Sequence, residues 1–502
     1  MELILTDEQL KRADRSASEE TGIPSIVLME RAAVAVTDFI MEGNFDLSDV
    51  VVICGTGNNG GDGAAVARML CERGAGVRLF VAGKKEKFTE QMQLQIRILG
   101  HYPVPVKEIA AASDLPDSAS LIVDAIFGIG IRRKVDGLFA DVINAINQYT
   151  SPVISVDMPS GVHTNSGAVY GTAVRADYTV TFTTAKAGLY LQPGADYAGR
   201  IVIRKIGIPV SREMEEECRL MNLTDDDLEH LPARDEWGNK GTFGKVLIIA
   251  GSEKIAGAAF LSAKAALLCG VGMVKIYTHE ANRTILSTLL PEALITTYGD
   301  DDWTPSSLDK DLEWADAVLI GPGLGTEALS MKILKHFMKT NHTLPTVFDA
   351  DALNMISMKP DLLSDIDFPA SATPHPGEMS RLTGISISDI RSNLIDVARR
   401  TAMDMKRTII LKDRRTVTAC PDGKCYLNLS GCSALATAGS GDVLAGMVTA
   451  FTCLYRNSSL PVCPEALAVF IHGRCGEQAA GKYSESSVKA SDLFEFIHEY
   501  LP

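Results

Sequence analysis

The sequence predicts the α/β class, with largely parallel sheets covered by helices and at least two domains. Three observations predict it. Short unbroken apolar runs recur, such as Val50–Cys54 and Val246–Ile249, as expected of strands buried on both faces. Glycine-containing loops and helical patterns follow those runs in alternation. The chain has 502 residues, more than one hydrophobic core normally organises.

Composition narrows the function classes. Apolar residues make up 46% and charged residues 22%, ordinary for a globular protein. A net charge of −15 argues against nucleic-acid and anionic-membrane partners. Met1–Glu8 is acidic and too short in apolar length for a signal peptide. The most apolar regions, Ala256–Ile276 and Ala434–Leu454, contain Lys264 and Asp442 and read as buried helices, not membrane spans. Ten scattered cysteines include no C-x-x-C pair, so a reduced cytoplasmic protein without structural zinc is expected. The expected assembly is a homo-oligomer.

In chain order, Thr6-Asp7-Glu8-Gln9 is a capping box and opens a first helix ending near Gly22. Ser25 is positioned to cap a second helix running through Met29, Ala33 and Phe39. The Val50–Cys54 strand then enters Gly55-Thr56-Gly57-Asn58-Asn59-Gly60-Gly61-Asp62-Gly63, with a helix over Ala64–Cys71. Strand, glycine-rich loop and helix form the phosphate-binding entry to a doubly wound sheet. Two asparagines and an aspartate set this loop apart from the dinucleotide fingerprint. Their oxygens suit a hard cation as well as a ribose or phosphate. Val77–Ala82 is a further strand. Leu121–Asp124 and Val153–Asp157 each end in Asp before a glycine-containing loop. Open parallel sheets bind ligands at such ends, although each Asp could simply cap its turn.

Asn58-Asn59-Gly60-Gly61-Asp62-Gly63, Asp124-Ala125-Ile126-Phe127-Gly128 and Val156-Asp157-Met158-Pro159-Ser160-Gly161 resemble the motifs of the NAD(P)HX epimerases. Gly22-Ile23-Pro24-Ser25 with Leu28-Met29-Glu30 matches that family's opening helix, and the likeness covers roughly residues 1–210. It implies a Rossmann-like three-layer domain over residues 1–215 that interconverts the C6 epimers of hydrated NADH or NADPH. By matching positions, it implies a potassium ion held by Asn59, Asp124 and Ser160. It also implies substrate contacts from Asn58, Asn59, Gly60, Gly61, Asp62, Gly128, Ile129, Gly130, Ile131, Arg132, Arg133, Lys134 and Asp157. Chemistry fits Asp157 as a proton shuttle, since epimerising a carbinolamine needs an acid/base group at its oxygen. Arg31 and Ile129 depart from the usual Asn and Thr. The same fold serves as a non-catalytic module in RNA-decapping scaffolds; the retained Asp157 and the acidic balance speak against that use.

Residues 216–234 are rich in Asp and Glu and read as a solvated linker with a short helix. From 235 onward the alternation resumes. Strands Lys245–Ala250, Val318–Ile320, Thr346–Phe348, Ala370–Ala372 and Thr408–Lys412 end in glycine, Asp, His or basic residues. Pro421-Asp422-Gly423-Lys424 is a hairpin turn. Lys412, Arg414 and Arg415 supply charge to a phosphate or form an ordinary basic turn. His375, between two prolines, is either a ligand contact or a capped loop residue. Ala438–Gly446 combines small residues, one carboxylate and the start of a helix. A helix N-terminus attracts anions, so Asp442 there is either an N-cap or a base acting on a group that attacks a phosphate.

Asn239-Lys240-Gly241, Gly321-Pro322-Gly323-Leu324-Gly325, Asp349-Ala350-Asp351-Ala352-Leu353, Thr373-Pro374-His375-Pro376-Gly377-Glu378 and Thr437–Gly446 resemble the ADP-dependent NAD(P)HX dehydratases. The likeness implies a ribokinase-like α/β domain over residues 235–502 that dehydrates (S)-NAD(P)HX to NAD(P)H, turning ADP into AMP and phosphate. By matching positions, Ala258, Gly323, His375 and Asp442 would contact the hydrated nucleotide. Lys412, Asp413, Arg414, Arg415, Thr416 and Gly441 would hold ADP. Asp442 would be the catalytic base, and a magnesium ion without assignable ligands is expected. Asn239 and Asp413-Arg414-Arg415 depart from the usual pattern. The competing reading is a small-molecule kinase fused to a binding module.

Overall fold

A computed structural model describes residues 1–359, 362 and 366–502. The chain divides into two compact units, Glu2–Cys218 and Arg219–Pro502, the latter also taking in Met1. No helix among the described residues is long and apolar enough to cross a membrane.

The first unit is built on a parallel sheet. Its strand order is Val106–Ile109, Val77–Ala82, Val50–Cys54, Leu121–Ala125, Val153–Val156, Tyr178–Phe182 and Arg200–Arg204. Alternate residues of each strand face opposite ways. Val50, Val52 and Leu79 share one core with Ala33, Val36 and Ile40 of helix Ser25–Glu42 and with Ala67 and Leu70 of helix Asn58–Glu72. Val51, Ile53 and Phe80 share the other with Val142 and Ile143 of helix Gly137–Ile146. The result is three layers, as expected. All five residues of Val50–Cys54 are fully buried, each large side chain contributing roughly 1.5–3 kcal/mol. That strand has parallel neighbours on both sides, so a crevice opens where the order reverses between it and Leu121–Ala125.

Two local expectations are corrected. The second helix begins at Ser25, but Pro24 occupies the N-cap without a side-chain cap, and the Ser25 hydroxyl accepts from Gln91 Nε2 instead. The glycine-rich loop is not a loop preceding a helix at Ala64, because the helix starts at Asn58. Its glycines serve close packing. A β-carbon on Gly60 would lie 2.0 Å from the Gly55 carbonyl, and one on Gly63 would lie 2.4 Å from Ala125. Only glycine lets this helix start rest on the strand ends.

The second unit has the sheet order Leu220–Asn222, Cys425–Leu427, Val417–Ala419, Thr408–Leu411, Ala370–Ala372, Thr346–Phe348, Ala317–Ile320, Lys245–Ile249, Met273–His279 and Leu294–Tyr298. Pairing is parallel from Thr408–Leu411 to Leu294–Tyr298, and antiparallel across the hairpin Val417–Leu427. The stretch expected to be linker supplies Leu220–Asn222 to this sheet, paired with Cys425 and Tyr426. Its Leu220-Met221 pair can bury an apolar side chain beside the acidic residues, and Met221 is buried. Helix Ser440–Tyr455 crosses helix Gly257–Leu268 so closely that a β-carbon on Gly446 would lie 2.2 Å from the Ser262 carbonyl.

Candidate active sites

In the first unit, Asp124 is the penultimate residue of its strand and is fully buried. Its Oδ1 accepts from the Ser160 hydroxyl (2.6 Å) and the Ile126 N–H (3.2 Å). Its Oδ2 accepts from the Ser155 hydroxyl (2.8 Å) and the Ser160 N–H (2.9 Å). Burial pushes this carboxyl up, and the hydrogen bonds from Ser160 and Ser155 oppose it. No basic side chain among the described residues forms an ion pair with it. Asn59 lies on the Gly128 side of the site. A β-carbon on Gly128 would sit 3.0 Å from Asn59 Oδ1 and 3.4 Å from Asp157 Oδ2. The Asn59 Nδ2 is buried and has no hydrogen-bond partner among the described residues. An amide oxygen, a hydroxyl and one carboxylate without a cationic partner fit a hard cation of low charge.

Asp157 follows the Val153–Val156 strand with φ +71°, a conformation that non-glycine residues seldom adopt. Its Oδ1 accepts from Lys186 Nζ (2.7 Å) and the Thr181 hydroxyl (3.3 Å). Lys186 is 1% exposed and also donates to Thr181 Oγ1 (2.6 Å) and the Phe182 carbonyl (3.1 Å). The other oxygen, Oδ2, faces Gly128. Sequence reasoning missed Lys186. The available signal was weak: Tyr178–Phe182 alternates apolar residues with threonines, and Lys186 lies four residues beyond its end. Burial, then the charge of Asp157, pushes the Asp62 carboxyl well above the ordinary range.

The structure therefore joins Asp124 with Ser160 and places Asn59, Gly128 and Asp157 around one space. Asn58 is exposed at the helix start, and Gly60 and Gly61 are buried. Along the 128–134 loop, Ile131 is buried in the core shared with Ile126 and Val135. Arg132 turns to Asp7 and Glu8, while Arg133 and Lys134 are exposed.

In the second unit, Gly439 at φ +90° is the N-cap of helix Ser440–Tyr455, and Asp442 lies in the first turn. The turn's N–H groups face the same side as any anion bound there. Burial, then the nearby charge of Asp349, pushes Asp442 up to about 6, with Lys412 opposing. Two contacts hold the helix start. Ser262 Oγ donates to the Asp442 carbonyl (2.9 Å), and His472 Nε2 lies 3.0 Å from the Ser440 carbonyl. Burial lowers His472 to about 4, so at neutral pH the ring is uncharged and donates through Nε2.

Lys412 Nζ donates to Asp349 Oδ1 (2.8 Å), which also accepts from the Thr373 hydroxyl (2.5 Å). Burial works against the lysine's charge, but Asp349 and Glu378 outweigh it and hold the ammonium protonated. A β-carbon on Gly441 would lie 3.6 Å from Lys412 Nζ, which brings those two predicted positions together. Gly323, at φ +60°, faces Ala258, whose Cβ would be 3.1 Å from an added β-carbon. His375 is the N-cap of helix Pro376–Thr383. Its Nδ1 accepts from the Gly377 N–H (2.9 Å) and the Glu378 N–H (3.3 Å), and Glu378 Oε2 accepts from the His375 N–H (2.8 Å). This capping box leaves Nε2 on a half-exposed ring. Burial, then Lys412 and Arg381, lowers the ring's proton affinity.

The remaining basic-turn residues are engaged elsewhere. Arg415 donates to the Leu429 carbonyl (2.6 Å), Asp413 pairs with Arg391 (3.3 Å), and the Thr416 carbonyl accepts from the Asn428 N–H. The Arg414 N–H donates to Asp413 Oδ1 (2.9 Å). Asp349 and Glu378 were visible only as motif letters. Ala350 between the two aspartates is at φ +47°, a strain of roughly 1–3 kcal/mol. It turns Asp351 to accept from the Gly325 N–H (2.8 Å).

Comparison with known proteins matches both units. Residues 246–499 match a family described as NAD(P)H-hydrate dehydratase, and residues 25–188 match one described as YjeF-related protein N-terminus. The chain is 35% identical over 512 residues to a bifunctional NAD(P)H-hydrate repair enzyme of Moorella thermoacetica, covering 98% of this chain and 96% of that protein. A protein of the same description from Escherichia coli is 32% identical over 497 residues, covering 98% and 93%. A solved ribokinase-like superfamily protein from Enterococcus faecalis aligns with a TM-score of 0.50 at 26% identity, covering 56% of this chain and 96% of that one.

Proposed function

Because this chain belongs to the family of bifunctional NAD(P)H-hydrate repair enzymes, we propose that its two sites divide the repair between Asp157 and Asp442. In the first unit Asp157 moves the proton at the C6 oxygen of the hydrated ring as the R and S epimers interconvert. The Gly128 space between Asn59 and Asp157 receives that carbon. Residues 58–62 and 128–134 bind the rest of the nucleotide. Asn59, Asp124 and Ser160 would hold a potassium ion, which would supply the positive charge that buried Asp124 lacks. Melting of the full chain should shift upward in potassium chloride relative to tetramethylammonium chloride. Asp124→Asn should remove the shift; an equal shift in that variant would count against this ion site.

In the second unit, Asp442 takes the proton of the C6 hydroxyl of the S epimer as that oxygen attacks the β-phosphoryl group of ADP. AMP leaves, the ring nitrogen expels phosphate from C6 to give an iminium, and loss of a C5 proton to water completes NAD(P)H. The first-turn N–H groups of Gly439–Gly441 stabilise charge on the moving phosphoryl group. Lys412, fixed by Asp349 beside Gly441, adds a positive charge there. Ala258, Gly323 and His375 contact the hydrated nucleotide, and the 412–416 turn holds ADP. A magnesium ion would accompany the nucleotide phosphates. The observation that carries this reading is the half-buried carboxylate Asp442 near Lys412 at a helix N-terminus.

Purified protein supplied with both epimers and either ADP or ATP tests it through return of reduced-nicotinamide absorbance. A stable phosphorylated nucleotide would instead indicate a kinase. A base must be ionised, so dehydration by kcat/KM should fall about tenfold per pH unit below the Asp442 value of about 6. A flat profile through that range would exclude Asp442 as the base. The same reading carries a cytoplasmic homo-oligomer, which sedimentation at assay concentrations checks.

A further inference from the structure

The 128–134 loop is held at both ends. Gly128 lies against Asn59 and Asp157, and the Val135 N–H donates to the Tyr170 carbonyl (2.7 Å). Between those anchors Gly130, Arg132, Arg133 and Lys134 are exposed. A third anchor reaches the middle of the loop from the start of the first helix. Arg132 Nη2 donates to Asp7 Oδ2 (2.8 Å) and to Glu8 Oε1 (3.0 Å).

Asp7 is an unusual partner, since its side chain is 4% exposed while that of Arg132 is 55% exposed. A carboxylate is rarely that buried without several donors. Asn165 supplies two links: its Nδ2 donates to Asp7 Oδ1 (2.8 Å), and its Oδ1 accepts from the Asp7 N–H (2.9 Å). Lys11 Nζ adds a longer contact at 3.4 Å. The preceding residue, Thr164, donates to the Ile129 carbonyl (3.3 Å). Thr164-Asn165 therefore holds the loop directly at Ile129 and, through Asp7, at Arg132. One end of the Arg132 contact is rigid and buried; the other is solvated and free to let go.

We propose that Asp7, fixed by Asn165, is a positioning residue that latches the middle of the 128–134 loop through Arg132. This sets the loop that faces Asp157, and it rests on the reading that the loop contacts the hydrated nucleotide. Burial pushes the Asp7 carboxyl up, but the hydrogen bonds from Arg132 and Asn165 and the charge of Lys11 leave it below the ordinary range. The latch therefore persists to mildly acidic pH and opens as pH falls through that lowered value.

Arg132-Arg133-Lys134 is a built-in tryptic site, which makes the latch measurable in the full chain. Asp7→Asn keeps the shape that meets Asn165 and removes the charge that meets Arg132. Brief trypsin treatment should then cut at 132–134 several times faster than in the parent. The KM of epimerisation should rise by about fivefold, with kcat and dehydration unchanged. Arg132→Gln, which also removes any contact of that side chain with the nucleotide, should raise KM at least as much, and adding Asp7→Asn to it should raise KM no further. High salt should raise the parent KM toward that of Asp7→Asn. Unchanged cleavage in Asp7→Asn would overturn the latch. Faster cleavage with an unchanged KM would support the latch while removing the loop from substrate binding.

Discussion

Asp442→Ala is expected to lower dehydration of the S epimer by about 10²–10⁴-fold while the two epimers continue to interconvert at the parent rate. The two candidate sites lie in separate compact units, each with its own core, so the first has no reason to respond. A positioned general base contributes on the order of 10²–10⁴ in rate. Stabilisation from the helix-start N–H groups and Lys412 would remain, so some residual dehydration with ADP is expected. Fold disruption is not. The backbone contacts from Ser262 and His472 go to carbonyl groups and survive the substitution. Asp442→Asn keeps the volume and separates loss of the base from loss of shape. The measurements are absorbance return with ADP and chromatographic separation of the epimers. Loss of both activities in Asp442→Asn would refute two independent sites.

The second large effect concerns Lys186. Replacing it by Met leaves Asp157 buried without its cation, with Thr181 the only donor to Oδ1 among the described residues. Breaking a buried ion pair from one side typically costs about 3–5 kcal/mol, because the remaining charge keeps its desolvation penalty. Epimerisation should be lost and denaturant unfolding of the first unit should shift to lower concentration. Adding Asp157→Asn to Lys186→Met should restore most of that stability, since the uncompensated charge is gone, but not epimerisation. This non-additivity distinguishes a charge pair from simple loss of packing. If the double variant is no more stable than Lys186→Met, the pair does not carry the effect. Dehydration serves as the internal control.

Much of the architecture was legible in the chain. Buried parallel strands announce themselves as unbroken apolar runs, and Val50–Cys54, Leu121–Val123, Val246–Ile249 and Ala317–Ile320 are such runs within strands of the structure. Strands with mixed faces, such as Val106–Ile109 at a sheet edge, carry no comparable signal and went unread. The asparagine-glycine stretch was read as a loop, whereas it is the start of helix Asn58–Glu72. Glycine in a sequence does not say whether it is there for a turn or for contact, and here Gly60 and Gly63 serve contact.

The chain by itself determined which chemical groups stand at strand ends and helix starts: Asp124, Asp157, Asp349, His375 and Asp442. Local rules suffice there, because strand period, turn residues and helix starts act within a few positions. Only the tertiary structure decided which of those groups are paired and which are free. Lys186 reaches Asp157 across 29 positions, Lys412 reaches Asp349 across 63, and Arg132 reaches Asp7 across 125. Strand order and loop path set those meetings. The charge state of a buried carboxylate then depends on which cation arrives beside it, an outcome written in the packing and not in the neighbouring residues.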